Sequence, residues 1–124
     1  MMRKTIMVQD AKISDGTLLL FADETANLTS LHPKEQMLVD SDHFAFIYLT
    51  ETDEGYTYIS LHEGVWAPLK SAWEKKMPAV VKAGDNTLEL KGIYEELEYL
   101  IDNIKGNSNY GEEFSGKVEK TFAI

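Results

Sequence analysis

The chain has 124 residues, of which 44% are hydrophobic and 27% are charged. Its 12 Lys and Arg residues against 21 Asp and Glu residues give a formal net charge of -9, which disfavours polyanionic partners such as nucleic acids and anionic membranes. Because cysteine is absent, disulfides, thiolate catalysis and cysteine-ligated zinc are excluded. We expect a single domain over residues 1–124.

The N-terminal segment and the apolar runs bear on where the protein works. The first ten residues lack the apolar stretch and cleavage site of a signal peptide. The longest apolar run, LLLFA at 18–22, is far too short to span a bilayer. We therefore expect a cytoplasmic protein that does not bind membranes.

The first half of the chain has the alternation of strands. KTIMVQDAKI and TLLLFAD are predicted as two strands joined by a turn at Ser14, Asp15 and Gly16. Residues 24–35 are polar and interrupted by Pro33, which predicts a loop with at most one helical turn. A short strand, QMLVD, follows it.

The segments HFAFIYLTE and GYTYISLHE predict a hairpin. A type I turn at 52–55, with Gly55 in the bulge position, would place Tyr48 opposite Ser60 and Thr50 opposite Tyr58. Both faces of the hairpin are then apolar, so we expect it to be central in the sheet and covered on both faces.

Helical spacing dominates the second half. Trp66, Leu69 and Trp73 predict a helix that crosses the sheet, and Gly84 to Asn86 predict the turn of another hairpin. A second helix is predicted over residues 93–105. The expected fold is α+β, with an antiparallel sheet of about six strands, one crossing helix and a C-terminal helical pair.

The stretch GNSNYGEEF, at 106–114, has two interpretations. As a joint between helices, Gly106 would be a left-handed cap, and Asn109 would cap a final helix with Glu112 as its reciprocal partner. As a binding loop, it would offer Asn109 and Tyr110 to a ligand. The interpretation as a joint accounts for more of the residues in this stretch.

The best candidate site in the sequence is LVDSDHF, at 38–44. On an extended chain Asp40 and Asp42 would project to the same side, roughly 6.6 Å apart, and could share Mg²⁺ or Mn²⁺. His43 would then point away from them. The alternative is a turn in which one aspartate bonds its own backbone. An acid–base pair of His43 and His62 with Asp40 is a further hypothesis.

Other candidates are a tryptophan and an acidic helix face. Trp66, with Trp73, could clamp a ligand, although aromatic residues at helical spacing are more often core. Glu95 and Glu98 lie on an acidic face that is most simply solvated, and that could instead bind a basic protein partner. Signatures for nucleotides, serine hydrolases and zinc proteases are absent, and we expect no cofactor.

The stretches QMLVDSDHFAFIYL, YTYISLHEGVW, LELKGIYEELEYLIDNIKGNSNYGEEF and VEKTF carry a family resemblance. They resemble a YjbL-like family of small proteins from Bacillus-like Gram-positive bacteria. The resemblance covers residues 36–122 and is strongest over VDSD and around DNIKGN. It implies a cytoplasmic bacterial protein and brings no activity, ligand or catalytic residue with it.

Three hypotheses for function follow from the sequence. The first is a non-enzymatic interaction or regulatory module that uses the acidic helical surface or a sheet edge. The second is a small metal-dependent enzyme or ligand-binding protein centred on Asp40 and Asp42. The third is a homodimer held by an uncovered aromatic sheet face.

Overall fold

A computed structural model describes residues 4–105 and 107–122. In this part of the chain seven strands form one sheet: β1 (Lys4–Ser14), β2 (Thr17–Ala22), β3 (His32–Asp40), β4 (Ala45–Thr52), β5 (Gly55–His62), β6 (Ala79–Ala83) and β7 (Asn86–Glu89). Three α-helices accompany them: α1 (Trp66–Glu74), α2 (Ile93–Ile104) and α3 (Glu112–Phe122). The α+β class is confirmed.

The sheet is mixed, and the prediction of an antiparallel sheet was wrong. Its strand order is β3-β4-β5-β1-β2-β6-β7, with parallel pairs between β1 and β5 and between β2 and β6. The sequence does predict the local hairpins, because their partners are neighbours along the chain. Parallel neighbours are joined by long connections, which no local pattern reveals.

Strand β3 begins earlier than expected. Residues 32–35 were predicted to be loop, but His32 and Pro33 already pair with β4. Glu35 has a left-handed φ of 52°, and the register of β3 shifts between Pro33 and Met37. An edge strand tolerates both features, because one side of its backbone needs no strand partner.

The β4–β5 hairpin has a two-residue turn, and its predicted register was wrong by one residue. Thr52 pairs with Gly55, so Tyr48 lies opposite Ile59 and Thr50 opposite Thr57. A slip of one residue transfers a strand's whole set of side chains to the other face. Tyr58 therefore does not share the face of Phe46.

All three helices lie on one face of the sheet, around a core of aromatic and aliphatic side chains. Trp66 is fully buried there, and its ring centroid lies 5.1 Å from that of Phe46 and 5.9 Å from that of Phe114. The Trp66 Nε1–H donates to the Leu61 carbonyl at 2.9 Å. The core thus joins β4, β5, α1 and α3.

The opposite face of the sheet is covered by no helix of the described residues, so the expectation of cover on both faces was wrong. Ile47 and Leu49 are buried, yet neither belongs to the core cluster. Their neighbours on this face are Leu38, Tyr58 and Met7, which also lie outside the core. We call this side of β3, β4, β5 and β1 the open face.

The C-terminal helices agree with the sequence except at one boundary. Helix α2 buries the apolar residues expected of it: Ile93, Leu97, Leu100, Ile101 and Ile104. Helix α3 begins at Glu112, after Gly111 with a φ of 87°, so Asn109 is not its N-cap. The proposed cap at Gly106 lies outside the described residues. Within the described ranges, no helix is long and apolar enough to cross a bilayer.

Candidate functional site

The open face carries a cleft of about 600 Å³, whose floor consists of rows of side chains across the sheet. One row joins Leu38, Ile47, Ser60 and Met7 on four neighbouring strands. Three of these four residues are apolar. They form a floor on which an apolar group could lie.

The adjacent row forms the polar end of the cleft. It joins Asp40, Ala45 and His62, because Ala45 pairs with Asp40 on one side and with His62 on the other. Residues two positions apart along a strand lie about 6.6 Å apart, so the polar row is one such step from the apolar row. The cleft is therefore amphipathic along the strand direction.

A turn at Ser41–His43 brings a second imidazole to the polar end. Asp40 ends β3, and its Oδ1 accepts the His43 N–H at 3.3 Å. Its Oδ2 lies 2.8 Å from His43 Nδ1. The strand stops at Asp40, so the extended geometry of Asp40 and Asp42 is wrong, and the chain takes the alternative turn, in which Asp40 bonds the backbone of its own segment. The turn also directs His43 toward Asp40 rather than away from it.

The two imidazoles differ in the nitrogen that carries the proton. His43 Nδ1 faces a carboxylate, which only accepts, so Nδ1 holds the proton and Nε2 is left as an acceptor. His62 Nδ1 accepts the Gly64 N–H at 3.0 Å, so the proton of the neutral ring lies on Nε2. Both rings line the cleft, which thus offers one imidazole acceptor and one donor.

Helix α3 holds the loops that carry these histidines. Phe44, with a left-handed φ of 50°, follows the His43 turn, and its ring centroid lies 6.2 Å from that of Phe114. Lys117 lies 5.5 Å from the Phe44 ring and forms a 2.9 Å ion pair with Glu63, the residue after His62. The hydrogen bond and charge of Glu63 raise the pKa of Lys117.

The remaining candidate residues lie elsewhere. Trp66 is not accessible to a ligand, because it is buried in the core. The Asn109 N–H donates to Asn107 Oδ1 at 2.9 Å, and the Tyr110 ring packs against Phe114, so the described residues 107–114 make the local contacts of a joint between helices. Glu95 and Glu98 are exposed on α2, away from the residues of the cleft.

The polar end offers little for a metal ion. Among residues 4–105 and 107–122, no three His, Asp or Glu side chains gather closely enough to hold one. Both oxygens of Asp40 accept hydrogen bonds from His43 and keep further lone pairs, whereas the protonated His62 Nε2 cannot ligate. The arrangement suits an organic group better than a cation alone.

Sequence reasoning missed the apolar half of the cleft. It did not select Leu38 or Met7, because each looks like an ordinary strand residue. Correct hairpin pairing would have placed Ile47 and Ser60 in one row. The contribution of β1 could not be found locally, since β1 and β5 are about fifty residues apart.

Comparisons with known proteins agree with the resemblance seen in the sequence. The chain is 47% identical to YjbL of Bacillus subtilis over 98% of this chain and 99% of the relative. It is 42% identical to a UPF0738 protein of Bacillus velezensis, over 98% of this chain and 99% of that relative. It is 38% identical to a UPF0738 protein of Geobacillus kaustophilus, over 98% of each chain. No solved structure matches. The model of UPF0738, a family of unknown function, matches residues 6–122, and the chain belongs to that family.

Proposed function

We propose that this protein is a non-enzymatic interaction module whose partner protein docks on the open face. The observation that carries the proposal is a concentration of exposed apolar side chains. Of the four large hydrophobic residues exposed in the described ranges, three lie on this face: Met7 (51%), Leu38 (43%) and Tyr56 (46%). Met7 and Leu38 lie at the two ends of the row that also holds Ile47, and an exposed apolar face of this kind is typical of interaction sites.

The sheet edges support the proposal less well. Along the β3 edge, Pro33 has no N–H, and the Met37 N–H already donates to Glu96 Oε1 at 3.2 Å. Glu35, in its left-handed conformation, breaks the regular strand between them. The other edge strand, β7, is only four residues long. A partner strand would therefore find few backbone groups to pair with on either edge.

The acidic surface of α2 also supports a partner less well than the open face. Glu95 and Glu98 are exposed, but they are accompanied by a single exposed large apolar residue, Tyr99 (63%). Exposed charges add little affinity when no buried contact accompanies them. Helix α2 therefore serves best as the comparison surface in experiments.

Photo-crosslinking tests the proposal directly. We would place p-benzoyl-phenylalanine at Leu38 or, as the matched control, at the more exposed Tyr99, in chains produced in Bacillus subtilis. The expected result is one discrete adduct at position 38 whose partner is identified by mass spectrometry, and none at position 99. Absence of an adduct at position 38, or equal adducts at both positions, would contradict the proposal. An adduct with the mass of two copies would replace the partner with a homodimer.

A second candidate function is a ligand-binding protein centred on Asp40 and Asp42. The cleft volume of about 600 Å³ favours it, because small-molecule sites have volumes of roughly 300–1,000 Å³. Asp40 is hydrogen-bonded to His43, while the Asp42 side chain is exposed. If the crosslinker at position 38 yields no protein adduct but a small molecule co-purifies with the chain, this candidate takes precedence.

A further inference from the structure

We infer that the open face selects an extended partner segment with a basic residue two positions away from an apolar one. The inference rests on the proposed function and specifies what the partner presents. The basic side chain would lie at the polar end of the cleft, near Asp40 and Asp42. The apolar side chain would lie over Leu38 and Ile47.

The negative charge at the polar end of the cleft favours a basic side chain of the partner. Asp40 and Asp42 line its polar end, and none of the described residues that line the cleft is lysine or arginine. Asp42 is exposed and forms no ion pair with any residue of the described ranges. A partner's lysine or arginine would meet uncompensated negative charge at this point, whereas an acidic partner would be repelled.

The spacing of the two rows matches a partner segment in which a basic and an apolar residue are two positions apart. Asp40 and Leu38 are two residues apart on β3, and Ala45 and Ile47 are two residues apart on β4. Side chains at alternate positions of an extended segment point the same way, about 6.6 Å apart. A segment lying along the strands would thus put its basic residue over the polar row and its apolar residue over the apolar row.

The two imidazoles suit a peptide backbone. His62 Nε2–H can donate to a carbonyl, and His43 Nε2 can accept from an N–H. Every peptide unit carries one group of each kind. A simple amine has no carbonyl, so it would leave the His62 donor without a partner.

Titrations followed by ¹H–¹⁵N NMR on the full chain test the inference with three capped tripeptides. These are acetyl-Arg-Gly-Leu-amide, its neutral citrulline analogue, and acetyl-Arg-Leu-Gly-amide, in which the spacing is altered. We expect the first peptide to shift the amides of Asp40, Asp42 and Ser60. We expect the other two peptides to bind roughly five-fold or more weakly, since an exposed charge pair or a small apolar contact is worth about 1 kcal/mol.

Matched variants distinguish the effect of a negative charge in the cleft from the effect of the protein's overall negative charge. Asp42→Asn should lower the affinity for the arginine peptide toward that for the citrulline peptide, and Glu98→Gln on α2 should leave it unchanged. The same spectra report whether each variant is folded. Equal affinities for arginine and citrulline, shifts confined to α2, or no shift in the cleft at millimolar peptide would each overturn the inference.

The two proposals fail in different ways. If the tripeptides fail while the crosslinker at Leu38 still captures a protein, the basic pattern is withdrawn and the proposed function stands. If position 38 captures no protein, both are withdrawn. A captured protein whose crosslinked segment lacks a basic residue two positions from an apolar one also overturns the inference alone.

Discussion

Asp40 and His62 lie in the same row across the sheet, on either side of Ala45, although they are 22 residues apart in the sequence. The predicted register instead placed His62 opposite Phe46, on the side that the structure shows to be the core. The row brings an aspartate–histidine hydrogen bond and a second imidazole to one end of an apolar cleft.

Substitution of two adjacent residues tests which way β3 faces. Met37 is 5% exposed and packs in the core, whereas Leu38 is 43% exposed on the open face. Met37→Ala should lower the free energy of unfolding by about 2–5 kcal/mol, and Leu38→Ala by less than about 1 kcal/mol. Urea denaturation measures both. Equal losses, or a larger loss for Leu38→Ala, would show that the register is wrong.

The two histidines should be opposite tautomers. At a pH at which both rings are neutral, long-range ¹H–¹⁵N spectra should show the proton on Nδ1 of His43 and on Nε2 of His62. In Asp40→Ala, His43 should no longer be held in the tautomer with the proton on Nδ1, and the tautomer of His62 should be unchanged. The converse variant is Gly64→Ala, whose added Cβ would lie 2.6 Å from His62 Cε1 and displace that ring alone. The same tautomer for both rings would contradict the assigned roles.

Removal of two tyrosine hydroxyl groups should have opposite effects. The buried Tyr94 hydroxyl has no hydrogen-bond partner among the described residues, whereas the Tyr48 hydroxyl donates to the Lys91 carbonyl. Tyr94→Phe should therefore raise the free energy of unfolding by about 1 kcal/mol, and Tyr48→Phe should lower it by a similar amount. Parallel denaturant titrations give both values. A loss of stability in Tyr94→Phe would indicate a hydrogen bond to that hydroxyl.

Alkaline pH should destabilise the fold through the same tyrosines. Burial raises the pKa of Tyr94 from its ordinary value of 10.0 to about 12, and burial also raises the pKa of Tyr48. The folded state thus keeps protons that the unfolded chain releases, so the contribution of Tyr94 to stability is complete below pH 10 and falls between pH 10 and 12.

Stability measured against pH checks the contribution of Tyr94. The decline between pH 10 and 12 should be shallower in Tyr94→Phe than in the wild type, and part of it should remain because Tyr48 still titrates. Tyr99→Phe is the control, since Tyr99 is 63% exposed. Identical curves for the wild type and Tyr94→Phe would contradict the prediction.

Divalent cations should not stabilise the protein. A metal at a hundred times its dissociation constant would add about 2.7 kcal/mol and raise the melting temperature by several degrees. Because no three ligand side chains gather among the described residues and His62 Nε2 carries a proton in the neutral ring, we expect no measurable shift with Mg²⁺, Mn²⁺, Ca²⁺ or EDTA. A shift that is lost in Asp42→Asn and kept in Glu98→Gln would instead restore the metal-binding hypothesis.

Local patterns predicted local structure well. The spacing of apolar residues predicted α2 over 93–105, and the structure places it at Ile93–Ile104 with the expected face buried. The turn at Asp15 and Gly16 was also predicted, and both residues have positive φ. Asn109 was misassigned, because the Asn107 side chain accepts the Asn109 N–H that the predicted reciprocal bond would have given to Glu112.

The candidate site was only half predictable. Asp40, Asp42, His43 and His62 were selected from their chemistry, and all four line the cleft. Of the two arrangements that the sequence allowed, the chain takes the turn, at Ser41–His43, and not the extended one. A hydrogen bond from His43 to Asp40 stabilises that turn, and no period-two pattern signals it.

The sequence alone determined the family, the α+β class and the local elements, because each of these follows from residues that are close together along the chain. Only the tertiary structure decided that β1 lies parallel to β5 and that the helices all pack on one face. Those features depend on contacts between segments far apart in sequence. The open face exists because the helices bury the aromatic core on one side of the sheet and leave Leu38 and Met7 exposed on the other.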